Sequence, residues 1–114
     1  MKTSCILILS ALFLFICCAS QQSVFKKAVT ENTIEAYSKF LEKYPNGDFS
    51  VEAKAKIREL EFTNAKNLNT IEAYSEFLGK YPSVEAKTKI RELEFTNAKN
   101  SNTIKAYETF IKKY

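Results

Sequence analysis

Three cysteines are the most reactive side chains of this 114-residue chain, and Cys5, Cys17 and Cys18 all lie near its start. Histidine is absent from the sequence, so neither Cys–His nor Ser–His–Asp nucleophilic pairs can be assembled. With no cysteine after Cys18, the usual Cys/His ligand sets for zinc and transition metals are missing from the remainder. The same clustering argues against a disulfide framework, even in an oxidising compartment. Gly47 and Gly79 stand alone, so no glycine-rich loop can cradle phosphate. Carboxylate pairs occur at Glu59 with Glu61 and at Glu92 with Glu94. Two residues apart on a helix, such groups point away from each other. They read as solvated faces and not as an acid/base dyad. Asn46-Gly47-Asp48 lacks the spaced acids and terminal Glu of a calcium loop, and reads as a turn. The inventory therefore points away from an enzyme, and no cofactor or metal is expected.

Charge and aromatic content narrow the partners. Seventeen Lys and Arg against thirteen Asp and Glu leave a net charge of +4. No basic run exceeds two residues and no Arg cluster exists to grip phosphates. The interleaved signs describe a solvated helical surface, and no nucleic-acid partner is expected. The tyrosines and phenylalanines fall at helical core spacing with no Arg alongside, which favours packing over base stacking. Only two Gly and two Pro leave little material for a turn-rich β fold. Ala, Glu, Lys and Leu are helix formers. No Asn-X-Ser/Thr acceptor occurs.

The first twenty residues read as a signal peptide. Lys2 precedes an apolar stretch from Cys5 to Ala19. That stretch is shorter than the roughly twenty residues of a membrane-spanning helix. It suits the apolar region of a secretory signal, with small residues Cys17, Cys18, Ala19 and Ser20 at a cleavage site. Cleavage after Ala19 or Ser20 would release a soluble protein. Alternatively, Cys18 or Cys17 resembles the lipid-modified cysteine of bacterial lipoproteins, although Phe15, Ile16 and Cys17 depart from the usual preceding pattern at two positions. An uncleaved anchor is a third outcome. Each places the chain outside the cytoplasm, in the periplasm, the outer membrane or the wider cell envelope.

The remainder repeats. Asn32-Thr-Ile-Glu-Ala-Tyr37 recurs as Asn69-Thr-Ile-Glu-Ala-Tyr74 and as Asn102-Thr-Ile-Lys-Ala-Tyr107. The spacings are 37 and 33 residues, because Asn46-Gly47-Asp48-Phe49 has no counterpart between Pro82 and Ser83. Residues Ser50 to Asn67 match Ser83 to Asn100 except at Ala55 and Thr88. Such a period denotes an array of supersecondary units. The division is a signal segment at 1–20, a lead-in at 21–31 with a short helix near Val24 to Val29, and about 2.5 helical units over 32–114.

Each unit reads as two antiparallel helices. The short one, near 33–44, puts Ile34, Tyr37, Phe40, Leu41 and Tyr44 on one face. Asn32 is placed to cap it, with Glu35 completing a capping box, and Lys105 should weaken the third cap. Further helices are expected near 50–67, 70–81, 84–100 and 103–113, with Pro45 and Pro82 marking stops. The long helix carries two apolar stripes: Val51, Ala55, Phe62 and Ala65 on one side, and Ala53, Ile57 and Leu60 on the other. Two stripes imply neighbours on both sides. Between them runs Glu52, Lys56, Glu59, Thr63 and Lys66, with Glu52 and Lys56 in a favourable i,i+4 order. The second copy repeats it as Glu85, Lys89, Glu92, Thr96 and Lys99.

The string Tyr37-Ser-Lys-Phe-Leu-Glu-Lys-Tyr-Pro45, followed by Val51-Glu-Ala-Lys, resembles tetratricopeptide-type repeats of bacterial envelope proteins, including outer-membrane assembly lipoproteins and periplasmic cell-division coordinators. The likeness covers about residues 24–114, although the usual Trp and the Gly before the Tyr are absent and the period varies. It implies an all-α, right-handed solenoid of tandem helix pairs whose concave face binds a peptide or protein. The partner-binding residues would then be Glu52, Lys56, Glu59, Lys66, Glu85, Lys89, Glu92 and Lys99. Two alternatives stand beside this scaffold function: a passive structural envelope protein with no dedicated ligand, and a fragment of a longer array. Membrane anchoring would come through the N-terminus. Self-association could use Tyr107, Phe110, Ile111 and Tyr114, which no later helix of the sequence covers.

Overall fold

A computed structural model describes residues 20–114, which are all-helical apart from their turns. The expected signal segment at 1–20, including Cys17 and Cys18, lies outside the described residues but for Ser20. Helix α1 occupies residues 20–31. It is followed by α2 (Ile34–Lys43), α3 (Ser50–Leu68), α4 (Ile71–Lys80), α5 (Val84–Ser101) and α6 (Ile104–Lys113). Compact packing divides the chain into two units, Met1–Leu60 and Glu61–Tyr114, with the boundary inside α3.

The junctions between long and short helices correct the expected capping. Asn32, Asn69 and Asn102 adopt left-handed backbone at φ 47°, 49° and 46°. Their N–H groups close the preceding helix onto Ala28, Ala65 and Ala98 carbonyls, at 2.8, 2.9 and 3.1 Å. Asn is among the few non-glycine residues that tolerate this geometry at a helix C-terminus. The N-cap is the next residue. Thr33, Thr70 and Thr103 are extended, and each hydroxyl accepts from the N–H three residues on, at 3.1, 3.1 and 3.2 Å. Asn and Thr thus divide the work of ending one helix and starting the next. The box with Glu35 does not form, because Glu35 is two residues past the cap. It acts instead on the helix dipole, like Glu72.

The two cores follow one plan. In the first unit Phe25, Ala28, Ala36, Tyr37, Phe40 and Ala53 are buried together, with Ile57 and Leu60 packed against them. In the second, Ala65, Tyr74, Phe77 and Ala86 are buried, with Phe62, Ala73, Ile90 and Leu93 against them. Phe25 and Ala28 therefore stand where Phe62 and Ala65 stand. The lead-in helix is longer than its expected Val24–Val29 extent because it is the C-terminal half of a degenerate long helix. The inserted turn contributes Phe49, which stacks on Phe25 at 4.8 Å and 11°. The turn is held by Ser50 N–H on the Gly47 carbonyl (3.0 Å) and Asp48 N–H on Gln21 Oε1 (3.3 Å).

Of the two stripes assigned to α3, the Ala53, Ile57 and Leu60 face packs as expected. The other holds only in part. Phe62 and Ala65 join the second core, but Val51 is 77% exposed and Ala55 is open to solvent. The helix uses one face in its first half and another in its second.

Helix α6 has no acid in its first turn, because Lys105 replaces the Glu of the other copies. Lys105→Glu should raise stability by about 0.3–1 kcal/mol at low ionic strength. The gain should shrink in high salt. Urea unfolding at two salt concentrations measures both effects; equal stability of the variant and the parent chain in low salt would refute the dipole account.

Candidate partner-binding face

The charged residues between the packed faces of the long helices form the candidate site. On α3, Lys56 Nζ donates to Glu59 Oε2 at 2.9 Å. On α5, Lys89 Nζ donates to Glu92 Oε2 at 2.8 Å. The pairing is therefore i,i+3 and repeats, whereas the expected Glu52–Lys56 pair yields to it. The hydrogen bond and charge of Glu59 hold the Lys56 ammonium above its ordinary pKa, with Glu52 a smaller contributor. Glu92 does the same for Lys89, with a smaller contribution from Glu85. Glu52, Glu59, Lys66, Glu85, Glu92 and Lys99 are exposed, and Lys56 and Lys89 are half-buried. Lys66 lies 4.9 Å from the Phe62 ring centre, a cation–π distance. Thr96 Oγ1 donates to the Glu92 carbonyl at 2.9 Å.

A second polar pattern was hidden in residues read as solvated. Glu61 and Glu94 have side chains only 19% and 21% exposed. Each reaches across to a short helix nineteen residues later: Lys80 donates to Glu61 at 2.8 Å, and Lys113 pairs with Glu94. Tyr114 Oη adds a 2.7 Å hydrogen bond to Glu94. Glu59 and Glu61 thus serve different cations, Lys56 and Lys80. The available signal was the shared Glu-to-Lys interval in both copies, Glu61 to Lys80 and Glu94 to Lys113.

Burial pushes the Glu61 carboxyl up, but Lys80 and the Tyr81 hydroxyl outweigh it, and the net displacement is downward. At Glu94, hydrogen bonds from Lys113 and then Tyr114 lower the pKa against a smaller desolvation penalty. A folded-state pKa below the unfolded value contributes stability at neutral pH, and that contribution is lost as pH falls through the folded value. Melting temperature should therefore drop from neutral pH into the acid range. Glu61→Gln and Glu94→Gln together should flatten that drop relative to the parent chain. Parallel pH profiles would exclude these pairs as its source.

Further ligand chemistry is limited among the described residues. No cluster of three or more Cys, Asp or Glu side chains is arranged to hold a metal ion. No described helix is long and apolar enough to cross a membrane. Comparison with protein families, with curated proteins and with solved structures finds no match to this chain.

Proposed function

We propose that this protein is a non-enzymatic interaction module of the cell envelope. Its helix pairs stack as a short right-handed tetratricopeptide-like solenoid, and a peptide or protein lies on the polar stripe of the long helices. The observation that carries this reading is the repetition of the same exposed Lys–Glu arrangement on α3 and α5. Exposed ion pairs contribute little to stability, with a median of about 0–1 kcal/mol. Keeping them identical in both copies is better accounted for by recognition than by folding.

The test is charge reversal of Lys56 and Lys89 together. Partners crosslinked to the parent chain in native envelopes should be lost from the Lys56→Glu/Lys89→Glu variant, with its helical circular dichroism unchanged. A partner retained at full yield refutes the stripe as the binding face.

A passive structural protein is the second reading. It is favoured by the fact that Lys56 and Lys89 are already neutralised by neighbouring Glu residues. Crosslinks to lipid or to further copies alone would favour it.

Export rests on Lys2, the apolar stretch through Ala19 and the small residues that follow. Mass spectrometry of the mature N-terminus decides its form. A lipid on Cys18 or Cys17 means anchoring, a free Ser20 or Gln21 means soluble release, and an intact Met1 refutes cleavage.

A further inference from the structure

The third short helix carries a face that its two sisters keep covered. In the first unit Tyr37 and Phe40 are 1% and 0% exposed, beneath Ala53, Ile57 and Leu60 of α3. In the second, Tyr74 and Phe77 are 1% and 5% exposed, beneath Ala86, Ile90 and Leu93 of α5. The covering chemistry is the same both times: a small residue, then Ile four places on and Leu seven places on. On α6 the corresponding Tyr107 and Phe110 are only half-buried, and Ile111, the counterpart of Leu41 and Leu78, is 72% exposed. Among the described residues, nothing covers α6 in the way that α3 covers α2.

We infer that the Tyr107, Phe110 and Ile111 face of α6 docks an amphipathic helix of a partner protein bearing the Ala-x3-Ile-x2-Leu pattern. The two internal copies show what shape and chemistry that face accepts. A second copy of this chain does not fit, because both helices with that pattern already bury it in their own cores. Helix α1, over residues 20–31, lacks the pattern. The charge also suits a basic helix. Lys56 and Lys89 occupy the position just before the Ile, near enough to Tyr37 and Tyr74 to feel their hydroxyls. Glu108 replaces Ser38 and Ser75 and adds a negative charge next to Tyr107 in the chain. This face is distinct from the polar stripe, so either site can fail without the other.

The probe is a labelled synthetic peptide with the sequence of residues 83–101, titrated into the full chain by fluorescence anisotropy. Saturable one-to-one binding is expected. It should weaken roughly tenfold or more in the Ile111→Glu chain, where docking would desolvate a carboxylate. Ile111 is exposed, so that variant should keep the parent helical signal. A peptide carrying Ile90→Asp and Leu93→Asp should not bind the parent chain. Three results overturn the inference: no binding at millimolar peptide, equal binding of the altered peptide, or binding indifferent to Ile111→Glu. Concentration-dependent dimerisation that excludes the peptide and is abolished by Ile111→Glu would also overturn it, because the occupant would then be a second copy.

Discussion

A tyrosine and a phenylalanine three residues apart on a ten-residue helix present more apolar surface than that helix can hide. In both cores of this protein the surface is closed by an alanine of the following long helix, Ala53 or Ala86, each 0% exposed. Only a residue ending at Cβ lets the helix approach so closely while remaining a good helix former. Ile57 and Leu60, or Ile90 and Leu93, then fall one and two turns further along the same contact. A bulkier side chain at either alanine would overpack the crossing, at a cost of about 1–3 kcal/mol. The ring contacts depend on the same closure: Phe25 sits 5.1 Å from Phe40, and Phe62 sits 4.9 Å from Phe77.

This requirement also orders the polar residues. The buried tyrosine needs a partner for its hydroxyl, and the left-handed asparagine supplies it. Tyr37 donates to Asn32 at 3.2 Å, and Tyr74 donates to Asn69 at 3.4 Å. One asparagine therefore terminates a helix and satisfies a core hydroxyl. The carboxylates divide by depth. Glu61 and Glu94, mostly covered, tie a long helix to a short one. Glu59 and Glu92, exposed, pair only within their own helix. Exposed pairs of the second kind add little to stability, so they can change partners without endangering the fold. That freedom is what makes the stripe suitable for recognition.

The repeat, the helix order and the covered face of α3 were all legible in the residues. Near-identity of Ser50–Asn67 with Ser83–Asn100 demands the same local structure twice. Apolar spacing is a local property, so helix ends came within one or two residues for α2 to α6. Three features were not legible. The Asn-Thr junction serves two helices, and sequence alone does not say which residue belongs to which. Val51 and Ala55 are as apolar as the residues that pack, and only the position of neighbouring helices leaves them in solvent. Glu61 and Glu94 looked like any solvated acid, because their cations lie nineteen residues away.

The sequence by itself determined an all-helical repeat and an exposed polar stripe in each long helix, because periodicity and helix propensity act within a few residues. It also confined the reactive cysteines to the start of the chain. Tertiary structure decided what those patterns do. It made α1 half of a further repeat, split α3 between two cores at Leu60, and left the Tyr107–Phe110 face of α6 part-open. The physical reason is that burial belongs to a contact between elements. A helix can carry an apolar face on its own, but only a neighbour of matching shape can cover it.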